Sequence, residues 1–168
     1  MKFVVLNTDI HVSPKYAGIL KMKALKGSAI FNPNTKRIQK VVRHDRLIKE
    51  IIMFLRDRDF LKYRTVGTTA ILHSKAGCKR QQWHTDYDPE KCRESSIKPL
   101  GVIFALQDET YFNVHKKKKI VMKKGQILIF DGDLIHAGSA YDVENTRIHI
   151  YLDSPDVLRS RNKTYLLN

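Results

Sequence analysis

"GQILIFDGDLIHAGSAYDVENTRIHIYLD", residues 125–153, decides the fold. The run Ile127–Phe130 is apolar at every position and lies between Gly125 and the turn signal Asp131-Gly132-Asp133, so it reads as a buried strand. In Thr146–Asp153, Ile148, Ile150 and Leu152 alternate with Arg147, His149 and Tyr151. A period of two puts aliphatic residues on one face and a cation, an imidazole and a phenol on the other. Between the strands His136 follows the turn. If Tyr141 pairs with Thr146 across a four-residue loop, His136 lies opposite Tyr151 and Arg147 opposite Ala140. Directly opposed residues share a face, which projects His136 and Arg147 to one side, about 13 Å of backbone apart.

Upstream of this stretch the same grammar repeats. "GTTAILHS", "LGVIFALQ", "ETYFNVH" and "KIVMKKG" are short strands separated by Gly77, Pro89, Pro99 and Asp108-Glu109. Many short strands at such spacing mean an all-β sandwich or barrel. The N-terminal part differs. "KFVVLN" reads as a strand, and "AGILKMKALKGSAIFNPN" (17–34) as mixed strand and turn ending at Asn32-Pro33-Asn34. Residues 45–62 carry apolar positions at 47, 48, 51, 52, 54, 55, 60 and 61, the spacing of one amphipathic helix. No repeat or linker divides the 168 residues. The expected organisation is one domain: a basic N-terminal cover (1–65), a β-barrel core (66–153) and a C-terminal tail (154–168).

Charge bounds the partners. The net charge is +14, and residues 1–66 hold fifteen Lys and Arg against five Asp and Glu. A basic surface favours polyanions, so nucleic acid or an acidic protein is a candidate partner. The run "HKKKK" (115–119) lies between two strands and reads as a solvated basic turn. Two cysteines, Cys78 and Cys92, are too few for a disulfide framework. The first apolar run is too short for a signal peptide, and no run is long enough to span a membrane. A soluble, intracellular protein is expected.

The chemistry starts at "QQWHTDYDP" (81–89). Seven His and twelve Asp give about half an H-x-D by chance in a chain of this size, so the triplet His84-Thr85-Asp86 needs corroboration. Residues i and i+2 of a strand share a face, so His84 and Asp86 can converge on one cation. His136 would complete a facial set of two imidazoles and one carboxylate, which leaves open positions as in non-haem Fe(II) oxygenases. Arg147 suits a bidentate grip on the far carboxylate of a short dicarboxylate. Trp83 reads as a packing residue beside the site, and Asp88, before Pro89, as a turn cap.

Together "WHTD", "GQILIFDGDLIHAG" and "NTRIHIYLD" resemble the H-x-D…H…R signature of the 2-oxoglutarate- and Fe(II)-dependent dioxygenases, in the manner of their prolyl-hydroxylase and phytanoyl-hydroxylase branches. The resemblance covers roughly residues 66–153. It implies a mainly β, double-stranded β-helix of jelly-roll or cupin type, here with an N-terminal α/β cover containing one main helix. It implies Fe(II) held by His84, Asp86 and His136, 2-oxoglutarate and O2 as co-substrates, Arg147 on the remote carboxylate, and ascorbate as a further candidate cofactor. Many relatives carry Ser or Thr two residues after the Arg, where this chain has His149. The second co-substrate contact therefore stays open among His149, Tyr151, Thr69 and Tyr111. The implied reaction is hydroxylation of a C–H bond in a macromolecule, with release of succinate and CO2. A protein side chain of prolyl type leads, with nucleic-acid oxidation or demethylation behind it. A non-catalytic barrel that binds a metal or a polyanion is the alternative of another class.

Overall fold

The computed structural model describes residues 2–29, 36–117, 119–160 and 163–167. The turn expected at Asn32-Pro33-Asn34, and Lys118 of the basic loop, lie outside the described residues. In chain order the elements are β1 (Phe3–Asn7), α1 (Pro14–Leu25), β2 (Ser28–Ala29), β3 (Arg37–Val41), α2 (Arg46–Asp57), β4 (Thr65–Ser74), β5 (His84–Thr85), α3 (Pro89–Glu94), β6 (Leu100–Ala105), β7 (Thr110–Val114), β8 (Ile120–Met122), β9 (Gln126–Asp131), β10 (His136–Gly138), β11 (Asn145–Asp153) and β12 (Tyr165–Leu166).

Two antiparallel sheets face each other. The larger has the order β1-β9-β6-β11-β4-β3-β2, and the smaller β12-β5-β10-β7-β8. Strands β6, β9 and β11 are buried almost throughout because both faces of the larger sheet are covered. Ile71, Phe104, Ile127, Ile129, Ile148 and Ile150 pack outward, in one cluster with Leu20 of α1 and Ile51 and Leu55 of α2. Ile103, Ala105, Leu128 and Phe130 pack inward against Phe112, Val114 and Met122 of the smaller sheet. This is why "ILIF" is apolar without alternation: each face of the strand meets its own core.

Helix α2 buries Leu47, Ile48, Ile51, Phe54 and Leu55, one stripe at helical spacing. Asp45 caps it by accepting from the Leu47 N–H. It ends at Asp57, earlier than the expected 62, because Asp59 takes a left-handed conformation at φ 62°. Phe60 and Leu61 still pack on the core beyond that end, which prolongs the apolar pattern without prolonging the helix.

Two expectations are corrected. Residues 14–25 form a helix, α1, which takes in residues 17–25 of the stretch expected as mixed strand and turn, so the N-terminal part carries two main helices. Its apolar residues are spread around the axis: Leu20 and Ala24 are buried, while Ile19 and Met22 are exposed. No single stripe advertises it, although the Ser13 cap and Pro14 in the first turn are start signals. The expected hairpin between residues 136–141 and 146–151 does not form. β10 pairs with β5 and β7, and β11 pairs with β4 and β6. Tyr141 bridges to Cys78 instead, and the chain crosses from one sheet to the other after it. The N-terminal residues also join the larger sheet directly, through β1 on β9 and β3 on β4. Among the described residues no helix is long and apolar enough to cross a membrane.

Candidate active site

His84 and His136 are directly opposed on β5 and β10. Their rings lie 4.5 Å apart, and Asp86 follows one residue beyond β5. Ligand atoms of His84, Asp86 and His136 all fall within 4.8 Å of one another, and all three residues are buried. Each imidazole is oriented by a backbone carbonyl two residues earlier. His84 Nδ1 donates to Gln82 O and His136 Nδ1 to Leu134 O, both at 2.8 Å. A carbonyl only accepts, so the proton sits on Nδ1, and each Nε2 carries the lone pair that a metal needs. His136 is further fixed by Phe112, stacked at 4.8 Å, and by Phe130, edge-on at 4.9 Å.

Electrostatics suit the same reading. Burial lowers the His136 pKa to about 4, and the imidazole is neutral at pH 7. Burial would raise the Asp86 carboxyl, but the neighbouring His136 and His149 imidazoles hold it well below the usual carboxylate range. Asp86 Oδ2 is buried and has no hydrogen-bond partner among the described residues. His136 Nε2 at 3.7 Å and His149 Nε2 at 3.4 Å are nearby without making such a bond. An ionised oxygen left in this state is costly unless a cation meets it. The donor set and the orphaned carboxylate oxygen fit a divalent ion of the Fe(II) type with positions to spare.

From these residues an open cavity of about 1000 Å³ runs past His149, Tyr151 and Arg147. Arg147 comes from β11 of the larger sheet, so it faces His136 across the barrel and not along a hairpin. It is buried, and its Nη1 donates to Ser74 Oγ at 3.1 Å and to Asn145 Oδ1 at 3.3 Å. No carboxylate pairs with it among the described residues. An anion entering the cavity would supply that charge.

The four candidates for a second co-substrate contact separate clearly. Thr69 gives its hydroxyl to Val42 O, and Tyr111 stacks on Tyr141 with its ring 5.4 Å away. Tyr151 accepts from Arg159 Nη2 at 3.3 Å; burial and nearby Asp86 push its phenol pKa far up, so it stays protonated. His149 stands against Asp86, and burial lowers its pKa. Three further residues were not singled out as site residues from sequence. Ser74 and Arg37 stand behind Arg147, both buried. Arg159 lines the cavity with its guanidinium 3.9 Å over the Tyr151 ring. Burial, with Arg147 beside it, lowers the Arg37 pKa to about 10. A register search could have found Ser74, since it is paired with Asn145, two residues from Arg147.

Other expectations fall into place. Asp88 caps α3 by accepting from the Glu90 and Lys91 N–H groups. Trp83 packs edge-on against His115 at 5.1 Å and under Arg80 at 4.4 Å. Cys78 and Cys92 are buried free thiols.

No family model matches the chain, and no curated protein matches it in sequence. Solved structures do match. A collagen prolyl hydroxylase of Paramecium bursaria Chlorella virus-1, in complex with 2-oxoglutarate, superposes with a TM-score of 0.65 at 18% identity, over 90% of this chain and 96% of that one. A prolyl-4-hydroxylase of Pseudomonas putida gives 0.63 at 8% identity, over 90% and 91%. A Trichoplax adhaerens prolyl hydroxylase bound to a hypoxia-inducible-factor peptide gives 0.61 at 9% identity, over 90% and 83%. At these identities the likeness establishes architecture: the chain has the double-stranded β-helix fold of the 2-oxoglutarate- and Fe(II)-dependent oxygenases.

Proposed function

We propose that the chain is an Fe(II)- and 2-oxoglutarate-dependent dioxygenase that hydroxylates a C–H bond of a protein side chain, of prolyl type. One observation carries the reading. Two imidazoles and an ionised carboxylate with a buried, unpartnered oxygen share one cavity with a buried arginine that has no acidic partner among the described residues. In this reading His84, Asp86 and His136 hold the iron, and Arg147 grips the remote carboxylate of 2-oxoglutarate. Bound iron, with 2-oxoglutarate and O2, supplies the oxidation that turns C–H into C–OH while the co-substrate leaves as succinate and CO2. The protein's part is positioning. The backbone carbonyls of Gln82 and Leu134 aim the imidazoles, and Ile103, Leu72 and Phe112 supply apolar lining to the cavity.

The choice of a protein substrate rests on the structural matches that act on prolyl residues, one of them holding a peptide. The cavity rim supports an acidic segment. Lys26, Lys40, Arg43 and Arg159 line it, and Asp86 is its only carboxylate among the described residues. The same rim and the net charge of +14 favour nucleic-acid oxidation as the second reading. The test supplies Fe(II), 2-oxoglutarate and O2 with acidic proline-containing peptides or with single-stranded oligonucleotides, and reads succinate and a one-oxygen mass gain. Peptide oxidation that vanishes in His84→Ala supports the proposal. Oxidation confined to oligonucleotides refutes its substrate, and polyanion binding without any 2-oxoglutarate consumption refutes the enzyme.

A further inference from the structure

The segment that follows β11 returns to the cavity. Ser154 and Val157 exchange backbone hydrogen bonds at 3.3 Å, which turns the chain back. Val157 is buried in one cluster with Tyr87, Cys92 and Tyr151. That anchor sets Arg159, two residues on, with its guanidinium 3.9 Å over the Tyr151 ring. Arg159 and Thr164 both line the cavity, and β12 then pairs with β5, Leu166 opposite His84.

Arg159 is held there with bonding capacity unused. Its backbone N–H donates to Asp153 Oδ1 at 3.1 Å, Nη1 to Ser160 O at 3.2 Å and Nη2 to Tyr151 Oη at 3.3 Å. Nε is buried and meets no acceptor among the described residues. The Tyr151 hydroxyl accepts from Arg159, but its own proton finds no acceptor among them, although Tyr151 is buried. Asp153 Oδ1 serves the Arg159 backbone and Tyr87 Oη, and no carboxylate pairs with the guanidinium among the described residues. Two donors without acceptors, one of them on a cation, thus stand side by side on the cavity wall. Such groups are costly to leave unmet and well suited to an anion.

Their place sets them apart from Arg147. Arg147, His149 and Tyr151 follow one another on the cavity face of β11. The Tyr151 ring lies 4.0 Å from the His149 ring, and His149 Nε2 lies 3.4 Å from Asp86 Oδ2. Arg159, stacked on Tyr151, is therefore beyond His149, with about 13 Å of backbone between Tyr151 and Arg147. A short dicarboxylate that reaches from the metal ligands to Arg147 leaves these two donors unmet.

We propose that Arg159 and Tyr151 form an anion subsite for the prime substrate, which takes the carboxylate of an acidic residue next to the hydroxylated one. Arg159 is then a specificity-determining residue carried by the C-terminal segment. The proposal rests on the functional reading above and narrows it to acidic peptide sequences. The guanidinium fork with an adjacent O–H matches a planar carboxylate. The contact of Tyr151 with His149, and of His149 with Asp86, puts that carboxylate close to the metal ligands and so close to the reacting C–H.

The test compares blocked peptides in which one proline is flanked on both sides by Glu, by Gln or by Lys. Each is supplied with Fe(II), 2-oxoglutarate and O2, and kcat/KM is read from the one-oxygen mass gain. Wild type is expected to prefer the Glu peptide over the Gln peptide by about tenfold or more, the effect of a hydrogen bond between charged groups. Arg159→Gln should abolish the preference, Arg159→Lys should retain part of it, and Arg159→Glu should shift it toward the Lys peptide. Anaerobic titration of Fe(II)-loaded Arg159→Gln with 2-oxoglutarate, followed by visible charge-transfer absorption, should overlay wild type. A wild type without the preference, or an Arg159→Gln that keeps it, overturns the proposal. An Arg159→Gln that needs more 2-oxoglutarate assigns the arginine to the co-substrate and overturns it too, as does oxidation confined to single-stranded oligonucleotides. A wild type that consumes 2-oxoglutarate without preferring Glu loses the subsite and keeps the enzyme, whereas one that never consumes it loses both.

Discussion

Gly101 on β6 offers a direct perturbation of the metal site through packing. A Cβ at this position would stand 2.2 Å from Phe130 Cζ, 2.5 Å from Cε2 and 2.8 Å from Cε1. Carbon atoms pack at about 3.5–4.0 Å, so the ring must move by more than 1 Å. The backbone cannot yield, because Gly101 is paired with Tyr151 on one side and Phe130 on the other. The ring cannot leave either, since it is fully buried against Phe112 at 4.8 Å and His136 at 4.9 Å. Gly101→Ala should therefore cost about 3 kcal/mol, the upper part of the overpacking range. For a chain of this length that lowers Tm by roughly 6–12 °C. It should also loosen Fe(II), because the displaced ring presses on a ligand. Thermal unfolding by circular dichroism reads the first effect, and competition with a metal indicator the second. Phe130→Leu removes the clashing ring atoms, so the double variant should be more stable than the sum of the single changes by over 1 kcal/mol. An unchanged Tm, or additivity within about 0.5 kcal/mol, would falsify this packing argument.

Other expectations follow from the same structure. Asp86→Ala should abolish tight Fe(II) binding and 2-oxoglutarate consumption while leaving the chain folded; retention of stoichiometric iron at micromolar protein would remove Asp86 from the ligand set. Asp45 accepts from Tyr16 Oη at 2.7 Å, Lys23 Nζ at 2.8 Å and the Leu47 N–H, so Asp45→Ala should cost about 2–3 kcal/mol in urea unfolding. Burial raises the Asp45 carboxyl, but the bonds from Lys23 and Tyr16 bring it below its ordinary value. A depressed folded-state pKa means stability present above pH ~4 and lost as pH falls through that lower value. The gap between wild type and Asp45→Asn should thus narrow on acidification below pH ~4, and a gap that widens contradicts the assignment. Cys78 and Cys92 are buried, and burial pushes the Cys92 thiol up to about 12. Neither should react with a thiol reagent at pH 7 until the chain unfolds, so rapid native labelling would disprove the packing of both.

The grouping of the candidate site's residues is more legible in the sequence than the connections that bring them together. His84, Asp86, His136 and Arg147 are legible because their spacing and alternation are local properties of single strands. The partner of each strand is not local. The stretch 136–153 reads as a hairpin, yet His136 pairs with His84 and Arg147 with Leu72 and Ala105, on opposite sheets. His136 and Arg147 still face one another because both sheets turn those faces inward, although the strands that carry them are not paired. Helix α1 escapes because it buries only Leu20 and Ala24, leaving no stripe to read. Ser74 and Arg37 escape for another reason: a lone serine and a lone arginine acquire meaning only when three strands align them in one row.

The central claim is that one end of the cavity holds iron and the other holds a carboxylate. The most direct measurement is anaerobic titration of Fe(II)-loaded protein with 2-oxoglutarate, followed through the visible charge-transfer absorption of a co-substrate chelated to iron. Wild type should develop the band saturably, Asp86→Ala should not develop it, and Arg147→Ala should need far more co-substrate to reach it. A folded wild type that binds Fe(II) yet never develops the band, or an Arg147→Ala titration that overlays wild type, would contradict the account.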